Sequence, residues 1–309
     1  MIVERPGAAR GHVRMDWLDS RHTFSFGQYH DPAWMGFGPL RVINEDRVRP
    51  GAGFPMHSHA NMEILSYVLD GALAHRDDTG GGDVLRPGEL QWMGAGHGIS
   101  HSEYNASDDA PVHFLQIWLQ PDRVNAAPGY ARRAFAADAR AGRWALLASP
   151  DGADGSLPIR QQAWLHGALL GDGEEATFAL DPARRYWLHV ASGQVAVGDR
   201  ALAGGDALGF VDEDGTLAVR GTGAAPADVL LFDLPGEPVG RDFNGQTARR
   251  GGDDQVEGGC ASGLCRGGSQ EGRLRRPAGT HLRPTLRWPE LLYAVRESSP
   301  EIQEVQTIR

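Results

Sequence analysis

The sequence predicts an all-β protein: two antiparallel, jelly-roll β-barrels in series, followed by a low-complexity tail. Three observations predict it. Helical periodicity is scarce, while 42 glycines and 19 prolines punctuate short apolar runs. The runs LRVINEDRV, MEILSYVLDG, VHFLQIWL, YWLHVAS and DVLLFDLP are rich in Val, Ile, Leu and aromatic residues. Turn residues bound such runs at roughly ten-residue spacing, which suits antiparallel strands in a barrel or sandwich. The third observation is a weak internal repeat: VLDGALAHRD followed by RPGELQWM resembles VASGQVAVGDR followed by AGGDALGF.

Taken in order, residues 1–148 are expected to form the first barrel, with RPGEL a turn that feeds a strand. The Pro-, Gly- and Asp-rich stretch SPDGADGSLP, residues 149–158, is read as the boundary. Residues 149–240 are expected to form the second barrel. Aligning Gly71 on Gly193 sets His57 and His59 against Ala179 and Asp181; aligning Gly88 on Gly205 sets His101 and Glu103 against Ala218 and Arg220. The second copy therefore keeps the shape and lacks the candidate ligands. From residue 241 to 309 the chain is Gly, Arg and acidic residues with little apolar content, and disorder is expected because too little surface can be buried to offset chain entropy. Within it, WPELLYAVRE has Pro289 near a plausible start for a short helix. Cys260 and Cys265 in the same tail read as incidental thiols.

Composition narrows the function. The formal net charge is −10 and no basic stripe precedes the tail, so direct nucleic-acid binding is not expected. No apolar leader and no run of roughly 18 apolar residues occurs, so no membrane span is expected. Two cysteines make no disulfide framework, and a cytoplasmic location is expected.

Two short stretches carry potential chemistry, FPMHSHANME and GISHSEYN. Side chains at i and i+2 of a strand share a face, so His57 pairs with His59 and His101 with Glu103. If both strands face a barrel interior, three imidazoles and a carboxylate converge, a donor set suited to one divalent transition metal such as Fe, Mn, Ni, Cu or Zn. Glu63 is in phase with His59, either as a fifth ligand or as an acceptor orienting a histidine ring. Phe24, Phe26, Trp34, Met35 and Phe37 either line an apolar pocket mouth or pack between the barrels. Gln116 can hydrogen-bond the site if its strand phase allows. His97 and His113 read as supporting or surface residues. Asp19, Ser20 and His22 are close in sequence only, and no serine-hydrolase triad is expected.

GAGFPMHSHANMEILSYVLDG resembles the first cupin motif, with Glu63 one place early, and GISHSEYN the end of the second. More narrowly, RGHVRMDWLDSRHTFSFGQYHDPAWMGFGPLRVINED, QWMGAGHGISHSEYN and LQIWLQP resemble the pirin family, densely over residues 10–135 and loosely over 155–240. The resemblance implies a bicupin with metal in the N-terminal barrel, bound by His57, His59, His101 and Glu103, Fe(II) foremost. It also implies an oxidoreductase like quercetin 2,3-dioxygenase, which opens a flavonol ring with O2; the alternative is a metal-dependent regulatory protein that binds a partner protein with little turnover. The partners are then a small aromatic substrate and O2. Glu103, the one carboxylate among the four ligands, is the candidate catalytic base. The family pattern ends soon after the second barrel, so nothing carries over to the tail.

Overall fold

The computed structural model describes residues 1–236. The expected disordered tail, its short helix and Cys260 and Cys265 lie outside the described residues. The first half runs through β1 (Ile2–Arg5), β2 (Gly11–Arg14), β3 (Leu18–His22), β4 (Leu40–Val48), β5 (Gly53–His59) and β6 (Glu63–Asp70). It continues through β7 (Leu73–Asp77), β8 (Gly82–Leu85), β9 (Glu89–Gly94), β10 (Ile99–Asn105), β11 (Val112–Leu119) and β12 (Gly129–Ala134). The short helix α1 (Ala137–Arg140) leads to β13 (Ala145–Ser149), β14 (Leu157–Pro158), β15 (Trp164–Leu170), β16 (Glu175–Leu180) and β17 (Arg184–Ser192). The last strands are β18 (Gln194–Val197), β19 (Arg200–Ala203), β20 (Ala207–Val211), β21 (Gly215–Gly221) and β22 (Ala227–Pro235). No helix among the described residues is long and apolar enough to cross a membrane.

These strands form two pairs of sheets. A seven-stranded sheet, β12-β9-β6-β11-β4-β3-β2, is matched with a four-stranded sheet, β5-β10-β7-β8. The second pair repeats the plan: β1-β20-β17-β22-β15-β13-β14 with β16-β21-β18-β19. The expected division after residue 148 is crossed twice. β13 begins at Ala145 and pairs with β15 in the second large sheet. β1 also leaves the first half, pairing antiparallel with β20 from Ile2 against Phe210 to Arg5 against Ala207. In the second large sheet β1 occupies the edge that β12 takes in the first. An unpaired edge exposes a row of backbone donors and acceptors, and β1 covers part of this one.

The long apolar runs are explained by burial on both faces. Residues 63–68 of β6 are all buried. Their alternation sends Leu65 and Tyr67 to one face and Ile64, Ser66 and Val68 to the other. Leu65 and Tyr67 join Ile43, Leu115, Ile117, Trp187, Leu230 and Phe232 in one core, so the two large sheets pack against each other. Phe24 and Phe37 each lie 5.0 Å from the Trp187 ring centroid, and Trp34 lies 6.3 Å from it. Of the two readings of that aromatic stretch, barrel packing holds for these three. Phe26 instead lines the first barrel's cavity, and Met35 is exposed.

Candidate metal centre

The site is built on β5 and β10, which pair antiparallel with His101 beside His57 and Ile99 beside His59. The register shifts between His101 and Glu103, so that Glu103 lies beside Phe54. One extra residue on β5 is accommodated there, in a segment that contains Pro55; proline has no N–H to give a ladder and is tolerated at such bulges. The ligand atoms of His57, His59 and His101 all lie within 4.8 Å of one another. The Nε2 atoms of His59 and His101 face each other at 3.0 Å, a contact that needs a shared proton or a shared cation. The Nδ1–H of His57 donates to the Pro55 carbonyl at 2.8 Å, which leaves its Nε2 lone pair for a ligand.

Burial pushes the pKa of His57 down and those of His59 and His101 far down; neighbouring imidazoles add to the last two. All three are therefore neutral near pH 7, the form that binds metal. Among the described residues no other cluster of this kind occurs. His75 on β7 adds a fourth ring to the same layer, 5.2 Å from the His101 centroid. Sequence reading missed it because a lone histidine carries no spacing signal.

Glu103 lines the same cavity as His57 and His59. It stands outside the three-imidazole cluster, its carboxyl held by two hydrogen bonds. Ser66 Oγ–H donates to Oε1 at 2.9 Å, and Gln116 Nε2–H donates to Oε2 at 2.5 Å. The phase left open for Gln116 is thus resolved towards the site. Burial raises the Glu103 pKa to about 7, with the nearby Asp46 carboxyl adding to the shift. The cavity itself is about 50 Å³, with Phe26, Phe54 and Trp118 as its aromatic walls.

Glu63 serves neither role expected of it. Its Oε2 accepts hydrogen bonds from Trp92 Nε1–H at 2.7 Å and from the Arg160 backbone N–H at 2.9 Å. Alternation from His59 fails because β5 ends at His59 and Asn61 turns the chain with φ +52°. His113 supports Glu45, with Nε2 2.9 Å from Oε1, and His97 is exposed, in line with both expectations. Asp19 bonds His12 at 3.0 Å while Ser20 and His22 face the cavity, so no triad forms.

Two stacked barrels with a histidine cluster in the first define a bicupin with one candidate metal site. Comparison with known proteins gives the family. Residues 5–119 match the family described as Pirin, and residues 146–234 match that described as Quercetinase C-terminal cupin domain. A quercetin 2,3-dioxygenase of Escherichia coli strain K12 is 42% identical over 235 residues, 76% of this chain and 99% of that protein. A pirin-like protein of Caulobacter vibrioides is 39% identical, over 75% of this chain and 99% of its own length. The crystal structure of the bacterial pirin YhhW from Escherichia coli in complex with nickel(II) superposes with a TM-score of 0.71 at 41% identity, covering 76% of this chain and 100% of that one. The chain belongs to the pirin family.

Proposed function

We propose that this protein is a metal-dependent dioxygenase, like quercetin 2,3-dioxygenase, that opens the ring of a flavonol with O2. The observation that carries this reading is the convergence of three neutral imidazoles, two of them lining a cavity that also contains a buried carboxyl and aromatic walls. The donor set fits one divalent transition metal held by His57, His59 and His101, with Glu103 as a fourth ligand. Fe(II) is the first choice; Mn, Ni, Cu and Zn share the same ligand chemistry, and a relative's structure contains nickel(II). When bound, the metal supplies Lewis acidity and a route for electrons between substrate and O2.

The protein's own residues do the rest. Pro55 fixes the tautomer of His57 through its carbonyl. Ser66 and Gln116 hold the Glu103 carboxyl in place. As carboxylate, Glu103 accepts the proton of the flavonol 3-hydroxyl, and the aromatic walls exclude water from the reacting ring. Metal analysis of the purified protein, combined with oxygen uptake on quercetin, tests the proposal. About one metal per chain and oxygen consumption that stops on chelation are expected. Metal-loaded protein that takes up no oxygen with quercetin sinks it.

A second reading, a metal-dependent regulator that binds a partner protein with little turnover, is favoured by the cavity volume. About 50 Å³ suits ordered water, whereas small-molecule pockets run to several hundred cubic ångströms.

A further inference from the structure

His101 turns its Nε2 towards His59 of β5, at 3.0 Å. Its other nitrogen, Nδ1, is a buried atom without a hydrogen-bond partner in the protein. A metal-binding imidazole ordinarily donates its second N–H to a carboxylate, a carbonyl or a water, which fixes both tautomer and ring. The Pro55 carbonyl does this for His57. On the side of β10 opposite β5 runs β7. It sets Asp77 beside His101 and His75 beside Glu103. Along β7 the residues Leu73, His75 and Asp77 are buried while Arg76 is exposed, so His75 and Asp77 share the inner face.

Both side chains are fixed, and both keep spare capacity. Asp77 Oδ1 accepts from the Thr79 N–H at 2.9 Å, the Thr79 Oγ1–H at 2.7 Å and the Gly81 N–H at 2.9 Å. Its Oδ2 is buried and unpartnered. The His75 ring lies flat on Tyr130, with centroids 5.0 Å apart and planes 14° apart, and its centroid is 5.2 Å from that of His101. Neither nitrogen of His75 has a partner in the protein. Buried polar atoms left unpaired cost free energy, and an apolar residue would suit position 75 better if packing were its only task. The unpaired atoms are complementary in kind. A His101 that offers the Nε2 lone pair to a metal carries its proton on Nδ1 and is a donor there; Asp77 Oδ2 and the unprotonated nitrogen of His75 are acceptors. One water that accepts from the first and donates to the other two makes about three hydrogen bonds, the usual number for a buried water. We infer that His75 and Asp77 are positioning residues of the metal centre, which hold His101 through one ordered water in the tautomer and orientation that present Nε2 to the metal. The inference rests on the reading of His57, His59 and His101 as metal ligands and needs no turnover.

Calorimetric titration of the metal-free protein with nickel(II) tests it. In His75→Leu the nickel affinity should fall about 10–100-fold, the usual scale for losing such a partner, with about one nickel still bound per chain. His75→Gln, whose amide can still bond the water, should recover most of that loss. Asp77→Asn keeps an oxygen for Thr79 and Gly81 but replaces the spare acceptor by a donor, and should weaken binding in the same direction. The denaturation midpoint of metal-free His75→Leu should be no lower than that of wild type, because an unpaired buried imidazole is exchanged for an apolar side chain. Wild-type affinity in a folded His75→Leu protein overturns the inference. So do equal losses in the leucine and glutamine variants together with a lowered midpoint, the signature of a purely structural role. If His75→Leu does not fold, Asp77→Asn decides, and undiminished affinity there overturns the inference. His59→Ala is titrated alongside. Nickel binding lost in His59→Ala but unchanged in His75→Leu leaves the ligand set standing and refutes the positioning role. Unchanged binding in His59→Ala, or none in wild type, refutes the ligand set and the inference with it.

Discussion

Asn61 decided how far the ligand set could be read. Alternation puts His57 with His59 and His101 with Glu103, and the structure keeps both pairs in phase because each lies within one strand. Glu63 was misread because the left-handed turn at Asn61 separates it from β5, and no count of residues shows such a turn. Asn44 and Asp46 carry no spacing signal: LRVINEDRV reads only as a strand, and burial of Asn44, Glu45 and Asp46 within it shows only in the structure. At this scale His59→Ala should lose most of the bound metal, with the far-UV spectrum unchanged, since a ligand is removed and the cores are not; metal analysis that finds wild-type content would show the site is elsewhere. Glu103→Gln separates a base from a ligand. Its amide oxygen can still accept from Gln116, while no proton can be taken up. Turnover of quercetin per bound metal should fall about 10²-fold or more. Equal turnover per metal would leave Glu103 a ligand only.

The strands were legible as strands, and the turns between them as turns, because Gly and Pro mark the ends of runs whose residues suit a pleated sheet. What each run packs against was not legible. Burial on both faces removes the alternation that would tell inside from outside. The aromatic stretch from Phe24 to Phe37 could therefore be read as pocket or as packing. The structure seats Phe24, Trp34 and Phe37 around Trp187 of β17. Trp187→Ala removes a fully buried ring at that junction and should cost about 3–5 kcal/mol of stability by denaturant titration. Metal content in the folded variant should stay at the wild-type level. A loss of metal with unchanged stability would return the stretch to the active site.

Over the whole molecule, pH acts through buried histidines remote from the metal as well as through those beside it. His189 on β17 is fully buried, and burial, with the Arg10 charge adding to it, lowers its pKa from 6.5 to about 3. A folded-state value below the unfolded one means that its contribution to stability is complete above pH 6.5 and is lost as pH falls towards 3. Between about pH 7.5 and about pH 5 that loss amounts to about 2 kcal/mol. In His189→Leu the drop in unfolding free energy between those two pH values should be smaller by about this amount; an equal drop would show that His189 does not titrate as stated. The pairing of β1 with β20 bears on synthesis rather than on stability. Ile2 meets Phe210, so β1 finds its partner only after about 200 further residues have been made. At typical rates of translation that delay is roughly 10–40 s, during which the second large sheet lacks its edge strand and β1 stays unpaired.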